Sequence, residues 1–86
     1  MSNVVMYATR ICPFCMAADR LLKQKGVEYE KSLVDKHPEE RPKMEQLSGG
    51  RHTVPQIFID DTHVGGCDEL YALNSTGELD SMLSAS

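Results

Sequence analysis

Residues 10–19, Arg10-Ile-Cys-Pro-Phe-Cys-Met-Ala-Ala-Asp19 (RICPFCMAAD), set two cysteines three positions apart where a helix should begin. Pro13 suits a first helical position, because its missing N–H would find no helical partner there. Ala17, Ala18, Leu21 and Leu22 then recur at helical spacing. Lys23 and Lys25 fall in the last turn, where cations complement the helix dipole, and Gly26 provides a stop. Just upstream, Val4-Val5-Met6-Tyr7 reads as a short buried strand. Downstream, Val27 to Val34 alternates loosely, with Val27, Tyr29 and Leu33 on one face of a half-buried strand. Strand, helix and strand within about 30 residues form a parallel βαβ unit with a right-handed crossover.

The polar segment His37 to Leu47 predicts a helix over Glu40 to Ser48. Pro42 must then lie in its first turn, since a proline is not tolerated deeper. Gln56-Ile-Phe-Ile59, the pair Asp60-Asp61 and Thr62-His-Val64 predict a hairpin. After Gly65-Gly66, Cys67 to Leu73 reads as a helix with Asp68 and Glu69 near its positive end. A last short helix is expected near Gly77 to Leu83, burying Leu79, Met82 and Leu83. Ile57, Phe58, Ile59 and Tyr71 are expected in the core. The resulting class is α/β, with about four strands flanked by helices.

Composition narrows the function. A chain of 86 residues predicts one domain spanning 1–86, because there is little room for a second core. Its formal net charge of −4 argues against a nucleic-acid surface. No apolar run approaches the roughly 18 residues of a membrane span. The opening MSNVVMYA lacks the basic-then-apolar pattern of a secretory signal, so the expected location is cytoplasmic. In that compartment disulfides are usually transient and catalytic. Three cysteines would also leave one over in a framework of staples.

A strand running into Cys-x-x-Cys at a helix start is the arrangement of thioredoxin-like redox motifs. Cys12 sits where unpaired backbone N–H groups emerge, so its sulfur should be favoured as a thiolate. Cys15 lies one turn on, within disulfide reach and deeper in the packed helix. These positions predict Cys12 as the exposed nucleophile and Cys15 as the resolving thiol. Lowering a thiol from about 8.5 to about 5 requires roughly 4–5 kcal/mol. The helix dipole supplies at most about 2 kcal/mol, so direct N–H···S⁻ bonds must carry much of the rest. Arg10 would add to this if its side chain turned toward the sulfur. A zinc site would need Cys67 and one of His37, His52 or His63 as well. No second Cys-x-x-Cys or His-x-x-x-His pair supports it, and no metal is expected. All three histidines read as surface or loop residues.

Four features in order, Cys12-Pro-Phe-Cys15, Thr53-Val-Pro55, Gly65-Gly66 and Cys67-Asp68, resemble the small bacterial dithiol glutaredoxins over essentially the whole chain. Phe14 stands where that family more often has tyrosine, which keeps the ring and loses a hydroxyl. The resemblance implies a thioredoxin fold with a four-stranded mixed sheet, and glutathione as co-substrate. It implies a cis bond at Val54-Pro55 that leaves the Val54 backbone free to pair with the extended tripeptide. It further implies a groove built from Arg10, Phe14, Arg51, Thr53, Val54, Pro55, Gly66, Cys67 and Asp68. In that groove Gly65-Gly66 lets backbones approach closely. The N–H groups of Cys67 and Asp68 face a carboxylate, and the Asp68 side chain faces the glutathione ammonium. Arg51 matches a polar or basic position that holds the glycine carboxylate, unless it is a solvated loop arginine. Cys67 reads as a small helix-start residue whose position could nonetheless raise its reactivity. Thr9 departs from the lysine common in relatives, which places the Cys12 acidity and the glutathione affinity in question.

The expected activity is glutathione-dependent thiol–disulfide exchange on protein disulfides and glutathionylated proteins, by a monomer. Two rivals remain at this point. One is a relative reduced by thioredoxin reductase, which would lack the glutathione groove. The other is a carrier in which two copies bridge an iron–sulfur cluster through Cys12 and glutathione; Pro13 and the second thiol disfavour it.

Overall fold

The computed structural model describes residues 3–84. Four strands, β1 (Val4–Ala8), β2 (Glu30–Leu33), β3 (Gln56–Ile59) and β4 (Thr62–Gly65), form one sheet in the order β2-β1-β3-β4. β1 pairs with β2 in parallel and with β3 antiparallel, and β3 pairs with β4 antiparallel. The parallel pair exists because α1 (Pro13–Gln24) carries the chain from the end of β1 back to the start of β2. The remaining helices are α2 (Glu40–Leu47), α3 (Cys67–Thr76) and α4 (Glu78–Ser84). This is the expected mixed sheet with flanking helices.

Alternation along β1 builds two apolar layers. Val4, Met6 and Ala8 join Ala18, Leu21, Leu22, Ile57, Ile59, Leu70 and Leu79 in the larger one. Tyr7 joins Val34, Met44 and Phe58 in the smaller one, with Val5 packed against it. The period-2 pattern of the strand therefore sends α1, α3 and α4 to one face and α2 to the other. Burying a side chain such as Leu22 or Leu70 contributes about 1.5–3 kcal/mol, and both are fully buried.

Two boundaries and one core assignment differ from the sequence expectation. β2 covers only Glu30–Leu33, although Val27, Tyr29 and Leu33 do pack on the core as one face. The β pairing is extended by one bond, from Val34 N–H to Ala8 C=O at 2.9 Å. α3 runs on to Thr76, and Gly77, with φ of 86°, separates it from α4. Tyr71 is 42% exposed rather than core. Its ring lies outside the apolar layers, and its hydroxyl donates to the Ala17 carbonyl at 3.1 Å.

The β3–β4 hairpin turns at Asp60 and Asp61, both in the left-handed region at φ of 50° and 67°. Aspartate tolerates that region better than most residues. Asp60 Oδ1 also accepts the Asn3 N–H at 2.7 Å, tying the turn to the strand beside it.

Candidate functional site

β1 delivers the chain to Cys12, which has extended backbone geometry and caps α1. Its sulfur accepts the Cys15 N–H at 3.1 Å, and its carbonyl accepts the Met16 N–H at 3.0 Å. Cys12 and Cys15 are joined as a disulfide, with Cα atoms 5.2 Å apart. A thiolate at Cys12 would keep the same main-chain donor, and charge-assisted hydrogen bonds are about twice as strong as neutral ones. The expected N–H···S contact is thus built into the first turn.

Both cysteines are buried in the disulfide, Cys12 at 8% exposure and Cys15, deeper as expected, at 5%. The exposed groups are their neighbours, Ile11 at 88% and Phe14 at 64%.

Beside this turn lies a groove lined by Phe14, Arg51, Thr53, Val54, Pro55, Gly66, Cys67, Asp68 and Glu69. Eight of these are residues named from the sequence, and the fold brings them together from three separate segments. The ninth expected residue, Arg10, is elsewhere. Its Nε donates to Asp35 Oδ2 at 3.1 Å, and its backbone N–H donates to the same oxygen at 3.3 Å. Asp35 thus holds the charge that the sequence offered to Cys12. Some desolvation works against it, but the bonds from Arg10 hold the Asp35 carboxyl below its ordinary value.

One wall of the groove is the segment Arg51-His52-Thr53-Val54-Pro55. The Val54–Pro55 bond is cis. Three consecutive carbonyls are held by side chains from outside the segment. Ser48 Oγ donates to Arg51 O at 2.9 Å, Arg41 to His52 O at 2.8 Å, and Gln56 Nε2 to Thr53 O at 3.0 Å. Val54, the next residue, makes no backbone hydrogen bond among the described residues. An extended peptide laid along it would meet a free donor and acceptor.

The opposite wall is the start of α3. Leu70 N–H makes the first helical bond, to Gly66 C=O at 3.1 Å, so the N–H groups of Cys67 and Asp68 have no helical partner. Gly66 lets the two walls approach closely: a Cβ there would sit 3.3 Å from the Pro55 carbonyl, a tight contact. Gly65 has φ of 115°, and a Cβ there would collide with the Glu69 side chain.

Glu69 is the groove residue that sequence reasoning missed. Its Oε1 accepts the Gly66 N–H at 2.7 Å and the Arg51 NH1 donor at 3.0 Å. The Gly66 bond, aided by Arg51, outweighs desolvation and holds the Glu69 carboxyl below its ordinary value. The signal was present: a glutamate three residues into a helix is the position that reaches back to cap it.

Cys67 is a buried free thiol. Burial first, then the nearby Asp68 and Glu69 carboxylates, push its thiol above the ordinary value. Both effects oppose any gain in reactivity from its place at the helix start. His63 is likewise not a plain surface residue. It is half-buried in β4, its ring lies 5.0 Å from that of Phe58, and its Nε2 is 2.7 Å from Gln56 Oε1. Among the described residues no cluster of three or more His, Cys, Asp or Glu has the arrangement of a metal site.

Residues 4–64 match the sequence model of the glutaredoxin family. The chain is 48% identical over 85 residues to a glutaredoxin of Pseudomonas aeruginosa, covering 99% of this chain and all of that one. It is 48% identical over 83 residues to glutaredoxin 3 of Escherichia coli, covering 96% and 99%. Among solved structures, a buckwheat glutaredoxin–glutathione complex superposes with a TM-score of 0.88 at 28% identity, covering 96% of this chain and 77% of that one. The Brucella melitensis glutaredoxin superposes at 0.81 with 48% identity, covering 94% and 87%.

Proposed function

The chain belongs to the glutaredoxin family, and from that premise we propose how its residues divide the work of thiol–disulfide exchange. The protein is a glutathione-dependent disulfide oxidoreductase, and glutathione is its co-substrate. Cys12 is the attacking thiolate. On a glutathionylated target it attacks the glutathionyl sulfur, and the target leaves as a thiolate that takes up a proton. Cys12 is left disulfide-bonded to glutathione. A second glutathione thiolate attacks the glutathionyl sulfur of that adduct, giving oxidised glutathione and restoring the Cys12 thiolate.

On a protein disulfide, Cys12 attacks one sulfur and Cys15 then attacks Cys12, releasing the reduced protein and closing the Cys12–Cys15 disulfide. Two glutathiones reopen it in sequence. The first forms a mixed disulfide at Cys12 and frees Cys15; the second removes the bound glutathionyl group.

The groove holds the glutathione part of the adduct. The Val54 backbone pairs with the extended tripeptide, and the free N–H groups of Cys67 and Asp68 receive a carboxylate. The Asp68 carboxylate meets the ammonium, and Arg51, fixed by Glu69, receives the second carboxylate. The protein targets are disulfides and glutathionylated thiols. The working unit is the monomer, since dithiol and groove are both contained in one chain. Its setting is the cytoplasm, where thiols are kept reduced.

The observation that carries this reading is the main-chain bond from Cys15 N–H to Cys12 Sγ, beside a groove with the free Val54 backbone on one wall and a free helix start on the other. The test is turnover of a small glutathione mixed disulfide coupled to glutathione reductase, run against NADPH with thioredoxin reductase. Turnover with the second system alone would sink the reading.

A further inference from the structure

Gln56 is the fully buried polar side chain of β3, and it has a partner for each of its polar atoms. Its Nε2 lies 3.0 Å from Thr53 O and 3.3 Å from Thr53 Oγ1, and its Oε1 lies 2.7 Å from His63 Nε2. The chemistry fixes the direction of every bond. A carbonyl only accepts, so the Gln56 group facing Thr53 must be the NH₂. Its Oε1 then faces His63, which must carry a proton on Nε2. The same NH₂ lies 3.3 Å from Thr53 Oγ1 and can only donate, so that oxygen accepts from inside the protein. The Thr53 hydroxyl proton is left to point elsewhere, and Thr53 is exposed on the groove wall.

We propose that His63 and Gln56 are positioning residues of the glutathione groove, a directed chain that presents the Thr53 hydroxyl as a donor to a glutathione carboxylate. The inference rests on the groove reading above and extends it to two residues that do not line the groove. Chains of aligned hydrogen bonds polarise one another, so a donor at the far end strengthens the one that meets an anion. His63 needs no positive charge for this role. Burial first, and then the nearby Arg51, hold its imidazole below its ordinary value against the opposing pull of Glu69.

The test is glutathione-reductase-coupled turnover of a small glutathione mixed disulfide by variants of the intact protein. His63→Phe keeps a ring against Phe58 and removes only the first link. It should raise the KM for glutathione about threefold to tenfold with kcat unchanged. His63→Gln, whose amide still donates, should recover most of that loss. The double variant with Thr53→Val should be no worse than Thr53→Val alone, because both act through one hydroxyl. In ¹⁵N spectra of the parent, the His63 ring should be the Nε2-protonated tautomer. An unchanged KM in His63→Phe, an additive double variant, or a bare Nε2 would each overturn the chain. Asp68→Ala separates the two levels. A raised KM there beside an unchanged His63→Phe removes the chain alone, whereas no KM change in Asp68→Ala or Thr53→Val removes the groove assignment with it.

Discussion

The Cys15 N–H points at the Cys12 sulfur from 3.1 Å away, so each half of the dithiol serves the other. The donor belongs to the backbone of Cys15, and its side chain is not needed for the bond. Removing the Cys15 thiol therefore leaves the support of Cys12 in place.

That separation predicts the phenotype of each cysteine. Cys12→Ser should abolish every exchange reaction. Cys15→Ser should keep deglutathionylation of small mixed disulfides and lose reduction of protein disulfides that need a resolving thiol. Assaying both substrates on both variants checks the division. Deglutathionylation surviving in Cys12→Ser, or vanishing in Cys15→Ser, contradicts it.

Arg10 is held by Asp35, so Arg10→Ala should leave the pH profile of Cys12 alkylation almost unmoved. A free cation nearby should act differently. Thr9→Lys should shift the alkylation midpoint to lower pH or reduce the KM for glutathione, and the effect should fade at high salt. Stopped alkylation with iodoacetamide across pH reads the first; steady-state kinetics reads the second. A large shift in Arg10→Ala, or none of either kind in Thr9→Lys, runs against the account.

Glu69→Ala should cost about 0.5–1.5 kcal/mol, most of it from the lost Gly66 bond. The Arg51 pair adds less, because both side chains are 44% exposed and screened by water. A lower Tm by roughly 4–8 °C per kcal/mol is the expected readout. The folded carboxyl ionises below its ordinary value of 4.5. Its contribution is therefore complete at neutral pH and is lost as pH falls from about 4.5 through the lowered value. The gap between parent and variant should close over that range. A gap that is constant with pH would show that the charge plays no part.

Cys67 is buried and its thiol is harder to ionise than usual. Limited alkylation of the reduced protein near pH 7 should label Cys12 and spare Cys67. Peptide mass spectrometry distinguishes them, and equal labelling would mean that the start of α3 opens readily.

The parts of the fold visible in the sequence were those with a local cause. Pro13, the Leu21–Leu22 stripe and Gly26 specify α1 without help from distant residues. Val54–Pro55 and Gly65–Gly66 mark the groove through a family resemblance, and the fold brings Val54, Pro55 and Gly66 to one groove. What escaped depends on partners far along the chain. Arg10 was assigned by its closeness in sequence to Cys12, but Asp35, 25 positions away, competes for it. Tyr71 has an aromatic side chain and a helical position suited to the core, yet its hydroxyl is used at the surface by Ala17. His63 showed no partner at short spacing because its partner, Gln56, sits across the β3–β4 hairpin. Glu69 was legible as a cap, and only its second contact, to Arg51, required the fold.

The carbonyls of Arg51, His52 and Thr53 are tethered before any tripeptide arrives. The freedom that a surface loop normally surrenders on meeting a ligand has here been given up during folding. Capture of the tripeptide should then demand little further ordering of that wall, leaving the flexibility of the visitor as the main entropic toll. On the proposed assignment, a groove on so small a scaffold would in this way grip a short, floppy peptide and still let it go once per catalytic cycle.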